Sequence, residues 1–299
     1  MYYYKIYGVL IASDLFFPQL VVSEDTTRYD VMIEKVELSE EIQKLLSEKK
    51  YEFGREYSWL SNTTCQIQVY DGNRITYALT GNGNPEWLQT YILGYGMSML
   101  ALQRNMLPIH CSVVADEQGA VLIAGESGAG KSTATTAFLK EGYILMADDM
   151  AWVDGTMVYP AFPYQKLCRD VVEREGYDLD ELIYIDEQKD KFLARYRGEF
   201  STEGRLMKGF ILLHLTPGEK VTVRELTGLD RLHVYVGNLF LRKLMTREQK
   251  YAPYIGKIGL EMAAKVPLLC IGRPIEGNTA EEVVRVAFDW VKTNDTAEC

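Results

Sequence analysis

Gly125, Gly130, Lys131 and Ser132 fit the spacing G-x-x-x-x-G-K-[ST] inside residues 121–149, VLIAGESGAGKSTATTAFLKEGYILMADD. That spacing has a chemical reason. Small residues let backbone N–H groups curl around an anionic phosphate, the lysine reaches the β/γ-phosphates, and the serine hydroxyl ligates Mg²⁺. The expected nucleotide-binding set is Gly125, Glu126, Ser127, Gly128, Ala129, Gly130, Lys131, Ser132 and Thr133, with Glu126 and Ser127 acting through their backbone. The cofactors implied are ATP and Mg²⁺. Transfer of a phosphoryl group to a hydroxyl also needs an acceptor for the proton, and an aspartate beside the metal is the usual provider. Asp148 and Asp149 close the next apolar run, where successive strand side chains point in opposite directions. One carboxylate can therefore serve as base while the other, with Ser132, addresses Mg²⁺; the alternative is that one of them only forms a turn.

Further candidates lie on either side of this segment. His110 is expected on a strand flanking the loop, where an imidazole can contact the γ-phosphate, orient a carboxylate, or simply be a satisfied core histidine. Lys166 and Arg169 can hold a substrate carboxylate or the transferred phosphoryl, against the alternative of solvated helix charges. Arg195 and Arg197 are weaker candidates for the same role, and His214 and His233 read as core or boundary residues.

These side chains need a frame. The apolar run 121–124 reads as a buried strand, and 132–139 as a helix whose positive end faces the phosphate. Gly142 suits the left-handed position after the helix, 143–147 is the next strand, and Asp154-Gly155 turns a hairpin through 156–159. Upstream, 3–11, 29–36, 65–70 and 75–79 read as strands, the last two paired around Asp71-Gly72, with a short helix over 39–49. The uncharged stretch 87–103, begun by Asn84-Pro85-Glu86, reads as a buried helix rather than a membrane span, because it carries Gln89, Thr90, Gly94, Gly96 and Ser98. Strands are expected over 109–115, 207–215 and 266–271. Helices are expected over 164–177, 229–249 and 254–264, with a last one opened by the capping box Thr279-x-x-Glu282. The fold class is α/β (α+β), with a β-rich N-terminal domain over 1–83 and a P-loop domain with a mixed sheet over 84–299.

Composition narrows the partners. With 47% hydrophobic and 25% charged residues, the 299-residue chain is of ordinary globular type. A net charge of −10 without basic runs speaks against nucleic acid as a partner. Cysteines 65, 111, 168, 270 and 299 show no C-x-x-C and suggest reduced thiols, hence a cytoplasmic location. No membrane partner is expected, and the oligomeric state is left open.

Pro108-Ile-His110, the P-loop and Ala147-Asp148-Asp149 together resemble the catalytic domain of the HPr kinase/phosphorylase family. The likeness moves His110 to the functional side and implies Asp148 as the base. The glycine-rich signature of that family is not found after the hairpin, where this chain reads VYPAFPYQKLCRD. That phrase and the opening YKIYGVLIASDLFFPQL look more like the HPr-kinase-like enzymes that phosphorylate lasso-peptide precursors. The resemblance implies an ATP- and Mg²⁺-dependent kinase acting on a serine hydroxyl of a peptide or protein. The alternatives are a bifunctional HPr kinase/phosphorylase and an ATP-binding regulatory protein that transfers nothing.

Overall fold

The computed structural model describes residues 1–37, 50–80, 84–186, 190–250 and 252–295, so the helix expected over 39–49 lies outside the described residues. Alternation of apolar and polar residues builds an eight-stranded sheet from β1 (Tyr2–Ile6), β2 (Val9–Ser13), β3 (Val21–Val22), β4 (Val31–Lys35), β5 (Tyr51–Glu52), β6 (Tyr57–Ser61), β7 (Cys65–Tyr70) and β8 (Arg74–Leu79). β7 and β8 pair antiparallel around Asp71-Gly72, as expected. The single strand expected over 3–11 is instead a hairpin. Tyr7 and Gly8 both take positive φ, 52° and 74°, which is the two-residue turn that matches strand twist.

The uncharged stretch then forms Leu88–Tyr91 (α1), a π-helical turn at Ile92–Gly96, and Met97–Gln103 (α2). No helix among the described residues is long and apolar enough to cross a membrane. Its buried side chains, among them Leu93, Met97 and Leu100, join the first sheet to the second in one large hydrophobic cluster.

The second sheet begins with β9 (Leu107–Ile109) and β10 (Cys111–Ala115). One strand was expected here, but the ladder breaks at His110, whose N–H turns away to the carbonyl of Asn238 at 2.7 Å. β11 (Ala120–Gly125) is buried at every position and leads through the glycine loop into α3 (Lys131–Lys140), then β12 (Ile144–Ala147). β13 (Ala151–Asp154) and β14 (Met157–Tyr159) form the expected hairpin.

The helix expected over 164–177 is a correction. Tyr164-Gln-Lys-Leu-Cys168 alternates in burial and forms β15 (Tyr164–Cys168), with only Arg169–Arg174 (α4) helical. β15, β16 (Ile183–Asp186) and β17 (Lys191–Arg195) make a small three-stranded sheet whose α4-covered side is closed by Leu167, Val171, Val172 and Phe192.

β18 (Arg205–Thr216) and β20 (Leu268–Pro274) add parallel strands beyond β11, and β19 (Thr222–Leu226) pairs antiparallel with β20, completing a nine-stranded mixed sheet. The long helix expected over 229–249 is interrupted, leaving Leu229–Gly237 (α5) and Arg247–Lys250 (α6), because residues 238–245 turn so that Phe240 N–H reaches the carbonyl of Pro108 at 2.8 Å. Pro253–Lys265 (α7) and Ala280–Asp295 (α8) follow. The capping box is not made through its threonine, since the Thr279 hydroxyl is buried without a partner. α3 and α8 cover the other face of the sheet through Phe138, Val283, Ala287 and Val291.

Candidate active site

β11 sits between β10, antiparallel, and β18, parallel. Its last residue, Gly125, lies so close to β18 that an added Cβ would stand 2.1 Å from the Leu213 carbonyl oxygen, so only glycine fits. Gly128 and Gly130 also have positive φ, 84° and 104°, and Gly130 precedes the first turn of α3 with no side chain capping it. That leaves the first N–H groups of the helix and its positive end directed into the loop, the arrangement that binds phosphate. Lys131 turns back into the loop and donates to the carbonyls of Gly125 at 2.6 Å and Glu126 at 3.2 Å. Glu126 does more than its backbone: its Oε1 accepts from Leu215 N–H at 2.9 Å, fastening the loop to the end of β18. Ser127 and Gly128 are exposed; Ala129 is buried, and Ser132 and Thr133 are half-buried on the first turn of α3.

The carboxylate pair follows β12. The strict alternation expected there fails because Asp149 takes φ 96°, and the turn brings both carboxylates to the same cavity. A non-glycine residue held there stores backbone strain, which accumulates at functional sites. Asp148 is 8% exposed; its Oδ1 accepts from the Ser112 hydroxyl and its Oδ2 from Lys166 N–H at 2.7 Å. Asp149 Oδ2 accepts from Lys166 Nζ at 2.6 Å, and its carbonyl accepts from His110 Nδ1 at 2.8 Å. A carbonyl only accepts, so Nδ1 carries a proton in this contact.

The two carboxyls are driven apart electrostatically. Burial raises the Asp148 pKa, and its hydrogen bonds from Ser112 and Lys166 offset this only in part. Burial pushes on Asp149 too, but Lys166 and His110 outweigh it and hold its pKa below the usual carboxylate value. Burial likewise lowers the His110 pKa, with Lys131 and Lys166 adding to it against the pull of Asp149. Burial, and then the charge of Lys191, lower the Lys131 pKa while Asp148 and Asp149 oppose them.

The structure therefore brings Lys131, His110, Asp148, Asp149 and Lys166 together. It does not bring the arginines there. Arg169 is held by Asp190 at 2.5 and 3.1 Å and lies over the Phe192 ring, Arg197 pairs with Glu181, and Arg195 and Arg197 line a separate groove with Tyr177 and Tyr196. Sequence reasoning missed Ser112 and Lys191. Ser112 carried a readable signal, two residues beyond His110 on the strand that leads to the loop; Lys191 carried none until β17 was seen to pair with β15.

Ser132 and Asp149 offer a hydroxyl and a carboxylate, the hard oxygen donors that Mg²⁺ takes together with phosphate and water. Among the described residues no three His, Cys, Asp or Glu side chains converge as a metal cage.

No family model matches this chain, and no curated protein matches it. Among solved structures it is similar to the HPr(Ser) kinase/phosphatase from Coxiella burnetii, at 14% identity over 61% of this chain and 94% of that one, with a TM-score of 0.29, a level that supports neither a fold assignment nor a function.

Proposed function

We propose that this chain is an ATP- and Mg²⁺-dependent kinase that transfers the γ-phosphoryl of ATP to a serine hydroxyl of a peptide or protein. The sequence resemblance favours a lasso-peptide precursor as that acceptor. One observation carries the reading: a glycine loop and helix N-terminus built for phosphate stand beside two buried carboxyls whose pKa values are pushed in opposite directions.

Each residue then has a task. Gly125 to Thr133 hold the phosphates through backbone N–H groups, and Lys131 swings from its carbonyl contacts to the β/γ-phosphates. Ser132 and Asp149 would hold the metal, which would supply charge neutralisation at the transferring group. Asp149 suits that part because its carboxyl stays ionised. Asp148, with its raised pKa, takes the proton of the acceptor hydroxyl as the serine oxygen bonds to the γ-phosphorus and the bond to the β,γ-bridging oxygen breaks, releasing ADP. Ser112 and Lys166 N–H fix the orientation of Asp148, and His110 fixes Asp149 through its carbonyl.

Incubation with γ-labelled ATP, Mg²⁺ and either a lasso-peptide precursor or HPr tests the reading. Label on a serine of the precursor, located by mass spectrometry, is the expected result. Label on HPr alone would select the bifunctional alternative, and ATP binding without transfer to either would select the regulatory one.

A further inference from the structure

A cavity of about 160 Å³ opens beside Asp148 and Asp149, and none of the glycine loop's own residues lines it. Its walls come from the first hairpin (Tyr7), the π-helical turn and its neighbours (Thr90, Leu93, Tyr95), the small sheet (Leu193) and Phe240. Two features mark it as built for a ligand. Gln19 lines it, is only 4% exposed, and has its carboxamide oxygen buried without a hydrogen-bond partner. Native proteins rarely leave such an acceptor unpaired, because its desolvation is uncompensated. The second feature is the π-helical turn at Ile92–Gly96, a helix irregularity found often at functional sites.

From these we infer that the cavity is the acceptor pocket, that it takes an aliphatic or aromatic side chain adjacent to the reacting hydroxyl, and that Gln19 Oε1 accepts an N–H from the acceptor's backbone. This rests on the kinase reading above. The size decides the class of occupant: an apolar cavity of about 150 Å³ is enough to hold a benzene ring, so this one accommodates a single large side chain. The lining decides the chemistry. Away from Asp148, Asp149 and Lys166 the walls are mainly aromatic and aliphatic, so an acidic neighbour would lose its hydration and face the two carboxylates. Among the described residues, the fully buried side-chain polar atom of this lining that lacks a partner is an acceptor, so the complementary group is a donor, and an acceptor peptide has one at every backbone amide.

The test uses the full chain and a library of short peptides with a fixed central serine and varied neighbours, incubated without ATP. Retained peptides are identified by mass spectrometry. The expected result is enrichment of Leu, Met, Phe and Tyr next to the serine over Asp and Glu. Thr90→Trp, which plugs the cavity from a half-buried position, and Gln19→Leu should each lower retention of the enriched peptides by about tenfold, the loss of one good contact. Mg-ATP binding by calorimetry should stay unchanged in both. No retention, retention without enrichment, or enrichment that persists in Thr90→Trp would overturn the proposal; should Gln19→Leu fail to fold by thermal melting, Thr90→Trp decides. Absence of ATP binding or of labelled transfer would count against the kinase reading alone, because the library arm contains no nucleotide.

Discussion

The two sides of the site are made in different ways. The phosphate side lies within one segment, from β11 through the loop and α3 to Asp149. The acceptor side is assembled from the tip of the first hairpin, the loop holding Gln19, the π-helical turn, β15, β17 and Phe240. Phosphate is recognised by backbone N–H groups, and a short stretch of chain suffices to aim them. An acceptor residue is recognised by side chains that must converge from several directions, and only tertiary packing brings them together. The difference sets what each kind of substitution should do.

The largest effect is expected on the phosphate side. Lys131→Ala should abolish transfer and strongly weaken ATP binding while leaving the fold intact, since the lysine's hydrogen bonds go to carbonyls of its own loop. Calorimetry reads it directly, and unchanged ATP affinity would remove the loop from the site. Asp148→Asn comes next. It should retain Mg-ATP binding but lose about 10²–10⁴-fold in rate, the usual worth of a general base. The wild-type rate should also fall on the acid side, as Asp148 protonates. Burial raises its pKa, so the midpoint of that limb should lie above the ordinary value of about 3.9. A limb at or below that value would reassign the base to Asp149.

The same contrast explains what was legible in the sequence. The strand and helix that flank the glycine loop, the hairpin at Asp154-Gly155 and the strands around Asp71-Gly72 each depend on neighbours in sequence, and each formed where expected. The breaks were not visible, because their causes are remote. His110 leaves the ladder for the carbonyl of Asn238, and the chain after α5 turns to meet Pro108. Lys166 was found as a charged residue but placed on a helix; its alternation Tyr164-Gln-Lys-Leu-Cys168 is short, and only pairing with β17 settles it as a strand. Gln19 and Leu193 have no local signature at all. Their role comes from where the first sheet, the π-helical turn and the small sheet meet.

A medium effect is expected at Lys166, the residue that joins the two sides. Lys166→Met removes the cation that holds Asp149, at a pair 24% and 22% exposed, and should cost on the order of 1–3 kcal/mol at neutral pH. The sign with pH follows from the lowered Asp149 pKa. A carboxyl depressed in the folded state stabilises the fold above its unfolded pKa, and loses that contribution as pH falls through the folded value. The deficit of the variant should therefore be largest near neutrality and shrink in acid. Urea unfolding at stepped pH measures it, and a deficit that grew toward acid would mean that Asp149 is not held ionised by Lys166.

The smallest effect is expected at Arg169, a neighbour of Lys166 in sequence that the fold sends elsewhere. Lys166 stands on β15 and turns its ammonium to Asp149, whereas Arg169 opens α4, pairs with Asp190 and covers the ring of Phe192 at 5.0 Å. Both members of the Arg169–Asp190 pair are 43% exposed, and exposed pairs gain little because water screens them and the long side chain loses freedom. Arg169→Met keeps the apolar stem that packs on Phe192 and removes only the charge. Its rate and its KM for the acceptor peptide should stay within about twofold of wild type, as for surface substitutions away from a site. A rise in KM of about tenfold with kcat unchanged would mean that Arg169 leaves Asp190 to bind the acceptor, and that the small sheet contributes a charged contact as well as an apolar wall.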